Sequence, residues 1–383
     1  MTMHRTLLAS LLVATACSNK PEATSDTGPP PSMVATPAPA DPARKTDAPE
    51  SVVFADRTSL AYVLLVTDDV KVPTREQLTA LVDAKLGGDT QDAEVGVLRE
   101  LISLDPQGDP RLRPGNHPRD LLGLYIEGLD ASARRAAVSE GALADPVLTR
   151  ELEDDERAAL ATHRRGILLR ADYRNERAVR GLRLLQTLVR LLASETGALI
   201  HDPDTGETMG VEAFTRRRLQ AGLGNVADQV AVVPFPDPRH GAPFIRLTTR
   251  GMRRFGSADL ELDGLPLDEQ ELQRATYLLH GLAYRMTRLA ELDPSGYPLE
   301  MTDDVEVTHA DVTRAYSRLQ GKIPRCEDCI GEVTVGLRKR PAEPSDPQDH
   351  LVLRVVAPRD DAAGLSDHPA WVRQAIAKLL GKP

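Results

Sequence analysis

The chain has 383 residues, with 47 lysines and arginines against 57 aspartates and glutamates, and its formal net charge at pH 7 is −10. This acidic balance argues against non-specific nucleic-acid binding, which depends on neutralising phosphates. Aromatic residues make up 3% of the chain and include one Trp, which argues against platforms that stack bases or sugars.

Residues 1–16 have the pattern of a secretory leader. His4 and Arg5 give a small positive region at the start, and residues 7–14 form an apolar core of about eight residues. A helix that spans a bilayer needs ~20 apolar residues. No later stretch reaches that length without a charge, so no transmembrane helix is predicted. Removing the leader removes Arg5 and no acid, which changes the formal charge from −10 to −11.

The leader runs directly into a cysteine, because residues 12–17 read LVATAC. This arrangement resembles the processing site of bacterial lipoproteins, although Ala14 occupies the position where that family usually has Leu. The resemblance implies cleavage before Cys17, acylation of Cys17 by diacylglycerol and a further palmitate-type chain, and a lipid bilayer as partner. Ser18 stands where an Asp would favour the inner membrane. The outer membrane, at its periplasmic face or surface, is therefore expected.

A second interpretation of the leader remains open. Ala14-Thr15-Ala16 also fits an ordinary Ala-x-Ala signal site, which would leave a soluble periplasmic or secreted protein beginning at Cys17. The number of acyl chains determines how firmly the protein is anchored. Each methylene buried in the bilayer contributes about 0.8 kcal/mol to membrane binding, and one chain alone anchors only marginally. Two or three chains would make release very slow.

Residues 17–50 are predicted to form a lipidated cysteine followed by a disordered Pro/Ala-rich tether. Eight prolines lie between residues 18 and 50, and Met33 and Val34 are almost the only bulky apolar residues there. Proline removes backbone donors and fixes φ, so neither helix nor sheet is favoured, and a core cannot form. Such a chain favours polyproline II at about 3.1 Å per residue. The same composition is equally compatible with a disordered N-terminal tail that has no spacing role.

Residues 51–160 are predicted to form an N-terminal α+β part. Residues 61–66 indicate a strand, and a helix follows Pro73, with Thr74 and Gln77 as a capping box and the glycines at 87–88 as its end. Residues 105–155 carry five prolines between short charged helical pieces. This stretch is predicted to be an insertion or a domain junction.

Residues 161–383 are predicted to form a C-terminal α+β domain. Its clearest unit is a strand at 166–170, a long amphipathic helix capped by Asn175, and a second strand at 198–200. This βαβ order requires the helix to lie on a sheet. The remaining predicted elements are strands at 230–233 and 244–249 paired across a Pro-rich turn, a strand at 260–262, a helix from Asp268, a helix from Thr308 to Gly321, strands at 332–338 and 351–357, and a helix at 370–380.

These elements predict an α+β fold, in which mixed sheet layers are packed by long amphipathic helices after the disordered N-terminal tether. The sequence contains no GxSxG, HExxH, P-loop or GxGxxG pattern, so no catalytic residue, cofactor or metal ligand is predicted. Residues 201–207 superficially resemble a calcium loop, but Gly206, Glu207 and Ala213 occupy positions that require other residues. A Pro- and Gly-containing turn is the favoured interpretation.

A basic loop at residues 249–256 is the best candidate for a ligand site. Together with the arginines at 216–218 it could form a positive pocket for a carboxylate or phosphate, while ordinary ion pairing at the surface is the alternative. The candidate ligand-binding residues are Arg246, Arg250, Arg253 and Arg254. The stretches 196–214 and 249–262 faintly resemble bacterial proteins of unknown function, and this resemblance implies no activity.

Cys326 and Cys329 are the remaining cysteines after Cys17, and they form a single CxxC. A local disulfide is favoured in an oxidising compartment. A redox pair is disfavoured because Glu327 and Asp328 would raise a thiol pKa. A zinc site stays open, but it needs further ligands, and the nearest histidines, at 309, 350 and 368, have no recognisable spacing.

The other histidines do not suggest a reaction. His280 lies on the helix after Asp268 and is predicted to be a half-buried core residue, while His163, His240 and His309 are predicted to be exposed. The sequence therefore predicts an anchored envelope lipoprotein that is a noncatalytic binding or structural module. Its expected partners are an envelope protein or a small anionic ligand. A hydrolase-like envelope enzyme with scattered catalytic residues is the alternative.

Overall fold

A computed structural model describes most of the chain after the tether. The described residues belong to one compact unit. The described residues are 51–53, 57–87, 93–104, 121–174, 178–220, 225–291, 300–316, 323, 325–326, 328–343, 346 and 351–382. The leader, Cys17, the tether, the cap at Asn175 and the helix end at Gly321 lie outside these ranges.

The described part of the chain alternates strands and helices from end to end. The strands are β1 Ser51–Val53, β2 Arg57–Val66, β3 Leu121–Leu129, β4 Arg165–Arg174, β5 Leu199–His201, β6 Thr208–Met209, β7 Ala231–Pro236, β8 Ile245–Arg250, β9 Asp259–Leu265, β10 Glu300–Thr302, β11 Asp304–Thr308, β12 Glu332–Lys339 and β13 Val352–Val356. The helices are α1 Arg75–Leu86, α2 Ala93–Ser103, α3 Ala131–Ala137, α4 Glu140–Ala144, α5 Asp154–Ala159, α6 Ala178–Thr196, α7 Val211–Phe214, α8 Val226–Gln229, α9 Glu269–Glu291, α10 His309–Ala315, α11 Ala362–Ser366 and α12 His368–Leu380. This content confirms the predicted α+β class.

The first sheet has five strands in the order β3-β4-β2-β5-β6, and every neighbouring pair is antiparallel. Because β4 and β5 both run antiparallel to β2, they are parallel to each other, with α6 between them in the chain. The predicted strand–helix–strand order of β4, α6 and β5 is confirmed. In the sheet, β2 lies between β4 and β5. Strands from both sides of residue 160 share this sheet.

The two faces of β2 bury different side chains, as the period of two in a strand requires. Leu60, Tyr62 and Leu64 belong to the main core under α6. Val63 and Leu65 point the other way, into a smaller cluster whose further members are Leu129, Val138, Leu152 and Leu199. The five-stranded sheet is therefore covered on both faces.

The second sheet has six strands in the order β11-β12-β13-β9-β8-β7. The β9–β13 pair is parallel and the others are antiparallel. The predicted pairing of residues 230–233 with 244–249 is confirmed as the β7–β8 hairpin. Helix α9 packs against β8, β9 and β11. One continuous core contains buried apolar residues from both sheets. A separate pair of strands, β1 and β10, is antiparallel.

Local capping residues define several helix ends, among them the predicted capping box at Thr74. Thr74 and Gln77 form the capping box of α1, and Thr308 and Asp311 form that of α10. The backbone N–H of Glu271 donates to Asp268 at the start of α9. Helix α10 ends at Ala315, because Tyr316 leaves the helical region at φ −113° and ψ 40°; the predicted end at Gly321 lies outside the described residues.

The structure differs from the sequence analysis most clearly between residues 105 and 155. The short helices α3, α4 and α5 agree with the predicted helical pieces, but β3 was not predicted. This strand pairs with β4 along nearly its whole length. Gly123 and Gly128 interrupt the apolar pattern of this segment, so the local sequence does not indicate a strand. The segment is a strand because it pairs with β4.

Candidate functional site

Two of the four candidate arginines lie in a buried ion-pair network. Arg253 and Arg254 belong to a 3-10 turn, Met252–Phe255, that follows β8. Nη2 of Arg254 lies 3.0 Å from each carboxylate oxygen of Asp202, and Nε of Arg253 donates to Oδ1 of Asp204 at 2.8 Å. The side chain of Arg254 has no solvent exposure. These two arginines therefore face a loop of their own chain.

That loop, residues 202–207, is the turn that the sequence predicts. The backbone N–H groups of Asp204 and Thr205 donate to Oδ1 of Asp202, and the N–H of Gly206 donates to the carbonyl of Asp202. Gly206 has φ +75°, a conformation that favours glycine. The turn buries three carboxylates, of Asp202, Asp204 and Glu207. The sequence analysis did not anticipate that burial.

A π-helical turn, Thr215–Leu219, supplies the other cations of the network. Nη2 of Arg218 donates to Glu207 at 2.9 Å and to Asp202 at 3.3 Å, and Nη1 of Arg217 donates to Glu207 at 2.9 Å. Arg216 is exposed and pairs with Glu151. Turns with this wide hydrogen-bond spacing are rare and often occur at functional sites.

The network shifts the acidities of its carboxyl groups in different directions. Burial alone would raise the pKa of Glu207, but Arg218 and Arg217 outweigh it, so the pKa falls to about 2. Burial is likewise outweighed at Asp202, where Arg254 and Arg218 hold the pKa below its usual value. At Asp204 burial dominates and raises the pKa. The arginine contacts therefore favour the ionised form of Glu207 and Asp202, whereas burial disfavours the ionised form of Asp204.

Neutral side chains extend the network toward the sheet. Nε2 of Gln186 donates to the hydroxyl of Tyr62 at 2.8 Å and to Oε1 of Gln229 at 2.9 Å. Nη1 of Arg254 also donates to that Gln229 oxygen, at 3.3 Å. Burial is the main cause that raises the pKa of Tyr62 to about 12, so its hydroxyl stays protonated. The phenol of Tyr173 donates to the Arg254 carbonyl at 2.8 Å.

The other two candidate arginines lie elsewhere, on β8. Nη1 of Arg246 donates to Glu261 at 2.7 Å and also pairs with Glu343, while Arg250 lies 3.7 Å from Asp346. Both guanidinium groups lie within 6 Å of the ring of Phe235. The structure therefore divides the four predicted residues between two clusters, each with its own carboxylates.

A small cleft of about 30 Å³, room for one or two water molecules, lies beside the buried network, between α6, α9 and the turn at 215–219. Its described lining residues include three arginines and no carboxylate. Arg218 is one of them, and its Nε and Nη1 are buried without a hydrogen-bond partner among the described residues. The remaining lining residues are Val179, Leu182, Arg183, Gln186, Leu219, Asn225, Val226, Gln229, Phe255, Tyr284, Thr287 and Arg288.

Two histidine–carboxylate pairs form a second polar centre, where the turn after β7, the end of β9 and the start of α12 meet. Nδ1 of His240 lies 2.8 Å from Asp237, and Nε2 of His368 lies 2.7 Å from Asp263. The two imidazole rings stack with centroids 5.7 Å apart. The side chain of His240 is 21% exposed, so this residue is partly buried and not exposed as predicted. The spacing Asp-x-x-His at 237–240 could have indicated the first pair.

This centre contains the one potential metal-binding group among the described residues, formed by Asp237, His240 and Asp263. Its carboxylates already have partners. Oδ2 of Asp263 accepts from Arg239 at 3.0 Å and from Arg354 at 2.7 Å, and these cations oppose a metal ion. Hydrogen bonds and ion pairs within the protein therefore account for the arrangement.

The structure joins Cys326 to Cys329 in a disulfide, with Cα atoms 5.2 Å apart. Sγ of Cys329 lies 3.4 Å from the Leu379 carbonyl at the end of α12. Among the described histidines, His163 is buried and not exposed as predicted, because its ring bonds the carbonyls of Ala159 and Gly197.

His280 is fully buried rather than half-buried. Its Nε2 lies 3.0 Å from the Val230 carbonyl, and its Nδ1 contacts the Tyr316 hydroxyl. Burial lowers the pKa of His280 to about 4. The ring is therefore neutral at pH 7 and holds α9 to the start of β7.

An acidic groove of about 460 Å³ lies beside β11 and β12. Ile330, which is 67% exposed, stands at this groove, and Lys378 is the basic residue in its described lining. The carboxylates around it are those of Asp304, Glu306, Glu332, Asp360 and Asp361.

No family model, curated protein or solved structure matches this chain. Among the described helices, none combines the length and apolar character that a membrane crossing requires.

Proposed function

We propose that this chain is an envelope lipoprotein, anchored through acylated Cys17, whose folded body is a noncatalytic binding or structural module. The observation that carries the anchor is the position of Cys17, directly after a short apolar leader and the small residues Ala14, Thr15 and Ala16. The Pro-rich residues 18–50 would then separate the body from the outer membrane, because such sequences favour extended conformations.

Two features of the body support a binding role. The cleft beside Arg218 has cationic and apolar lining residues, which suits a small anionic ligand. The groove on β11 and β12 is acidic and borders the exposed Ile330, which suits an envelope protein with a basic surface. Both expected partners, a small anionic ligand and an envelope protein, are therefore part of the proposed function.

The anchor is tested by labelling cells with an alkyne analogue of palmitate and then fractionating them. We expect the unaltered protein to carry the label and to sediment with outer membranes. Cys17→Ser should lose the label and appear in the soluble fraction, while Ser18→Ala should behave like the unaltered protein. A processed but unlabelled and soluble wild-type protein would instead support the ordinary signal-peptide interpretation.

A hydrolase-like enzyme is the second candidate, because the pairs Asp237–His240 and Asp263–His368 place imidazoles within hydrogen-bond reach of carboxylates. A carboxylate that orients an imidazole is a recurring arrangement in general-base catalysis. The test is hydrolysis of a panel of ester, amide, glycoside and phosphate substrates. The enzyme is favoured if the protein hydrolyses one of these substrates, if His240→Ala or His368→Ala abolishes that activity, and if His309→Ala retains it.

A further inference from the structure

We propose that the small cleft beside Arg218 binds a single halide ion, such as chloride, which accepts hydrogen bonds from the Arg218 guanidinium group. This inference rests on the proposed binding role of the body and adds the chemical class of the small anionic ligand. The anchor at Cys17 and the acidic groove beside β11 and β12 are independent of it.

The first argument is the state of the Arg218 guanidinium group. This residue is 3% exposed, and its Nη2 donates to Glu207 at 2.9 Å and to Asp202 at 3.3 Å, which fixes its orientation. Its Nε and Nη1 are buried without a hydrogen-bond partner among the described residues. A buried donor that lacks an acceptor is costly, and hydrogen bonds that involve an ionised group are among the strongest. An acceptor beside Arg218 would therefore stabilise the fold.

The second argument is that both counter-ions of Arg218 are shared with other arginines. Glu207 also lies 2.9 Å from Arg217, and Asp202 also lies 3.0 Å from Arg254. The described lining of the cleft contains no carboxylate that could complete the pairing from the other side. The positive charge of Arg218 is therefore only partly balanced on the network side, and an anion in the cleft would complete the balance.

The third argument is the size of the cleft. Its free volume is about 30 Å³, which holds one or two water molecules. A chloride ion is close to a water molecule in size, whereas an organic acid is too large. The amide oxygens of Gln186 and Gln229 already accept hydrogen bonds from each other's amide groups. A water molecule would need acceptors for its own hydrogens, whereas a halide ion only accepts, so a halide ion matches the donors of Arg218 better than water does.

The surroundings of Arg218 also favour an anion. The exposed Arg183 and Arg288 are the other charged residues of the described lining, and positive charge there attracts anions. Val226 and Phe255 are buried apolar lining residues. Electrostatic attraction is stronger in such a low-dielectric environment than in water. The cleft thus combines cationic groups with apolar walls that strengthen their effect.

The test measures chloride binding to the full chain carrying Cys17→Ser, which needs no detergent. Urea unfolding is followed by circular dichroism while sodium chloride replaces sodium methanesulfonate at constant ionic strength. We expect the unfolding midpoint to rise with chloride, and the rise gives the dissociation constant. Arg218→Lys removes Nε and the planar group and should weaken chloride binding at least about tenfold. Arg216→Gln, on the same turn but outside the described lining, should bind within about twofold of the parent.

A second measurement locates the ion. Crystals of the same protein are soaked in sodium bromide, and the anomalous signal of bromine should give a peak within hydrogen-bond distance of Nε or Nη1 of Arg218. This measurement needs no substitution at the site, so it still decides if Arg218→Lys fails to fold.

Three results would overturn the inference. The unfolding midpoint is the same in chloride and in methanesulfonate, a folded Arg218→Lys variant keeps the chloride dependence of the parent, or the bromide peaks lie away from Arg218. A bromide peak at Arg218 without any chloride dependence of stability would mean an adventitious ion only, which also overturns it. Because membrane fractionation tests Cys17 separately, a protein that is anchored but insensitive to chloride removes the ligand inference alone.

Discussion

Both carboxylate oxygens of Asp202 lie 3.0 Å from Nη2 of Arg254, and neither side chain has more than 1% solvent exposure. Asp202 follows β5 in the five-stranded sheet, and Arg254 lies in the turn after β8 of the six-stranded sheet. This ion pair therefore links the two sheets across 52 residues of sequence.

Asp202→Asn should strongly destabilise the protein, because it leaves the Arg254 charge buried without its main counter-ion. Breaking such a pair from one side costs about 3–5 kcal/mol. Urea unfolding followed by circular dichroism measures the change. Glu195→Gln is the control, because it breaks an exposed pair with Lys85 and should change the free energy of unfolding by less than about 1 kcal/mol. Equal effects of the two substitutions would contradict the structural role of the buried pair.

The Asp202 loop also shows what the local sequence can and cannot predict. Pro203 and Gly206 are turn residues by their own chemistry, so the turn could be predicted. The burial of Asp202 could not, because its partners Arg218 and Arg254 lie 16 and 52 residues away. The candidate arginines have anionic partners within the same chain, and their role in binding an external ligand stays a prediction.

Gly181 permits close packing of α6 on β4. A Cβ atom at Gly181 would lie 2.6 Å from Cγ of Tyr173, whose phenol bonds the Arg254 carbonyl. Gly181→Ala should therefore destabilise the protein by about 1–3 kcal/mol through overpacking. Gly96→Ala in α2 is the matched control, because a Cβ atom there meets nothing within 4 Å.

In the control, the higher helix propensity of alanine should increase stability by up to about 1 kcal/mol. Both variants are compared with the parent by thermal and urea unfolding. If Gly181→Ala is stabilising like Gly96→Ala, then α6 does not approach Tyr173 as closely as described.

His280 should make stability depend on pH. Burial lowers its pKa from 6.5 to about 4, so between these values the unfolded chain binds more protons than the folded one. Its contribution is complete above pH 6.5 and is lost as the pH falls toward 4. From the pKa shift, about 2 kcal/mol should disappear between pH 7.5 and pH 5.

His280→Gln keeps hydrogen-bonding capacity without the titration. Its free energy of unfolding should fall about 2 kcal/mol less than that of the parent between pH 7.5 and pH 5. His309→Gln, on α10, makes the same substitution at a partly exposed position and shows what a change from His to Gln does outside the core. If the parent and His280→Gln lose stability in parallel, His280 is not buried as a neutral ring.

Helix ends and strand pairing differ in how far the local sequence determines them. The capping boxes at Thr74 and Thr308 each involve residues three apart, so the sequence analysis located both. Strand β3 depends on pairing with β4, whose residues lie more than 35 positions away. The pair His368–Asp263 joins residues 105 apart. Neither contact leaves a local pattern that periodicity could detect.

The disulfide between Cys326 and Cys329 should make a modest, local contribution to stability. It closes a loop of four residues, for which the chain-entropy relation gives about 2 kcal/mol. Gly331, at φ +83°, lies beside it and donates its N–H to the Lys378 carbonyl of α12. Replacing both cysteines by serine should therefore weaken the contact between this loop and the end of α12 while the two sheets stay folded.

Intact mass of the purified protein should be two hydrogens below the reduced value. Dithiothreitol should lower the stability of the parent to that of the double serine variant and leave the variant unchanged. Hydrogen exchange should increase at residues 328–331 and 378–381 and stay constant in β2 and β4. A reduced protein that retains zinc would contradict the disulfide and support the metal alternative for this CxxC.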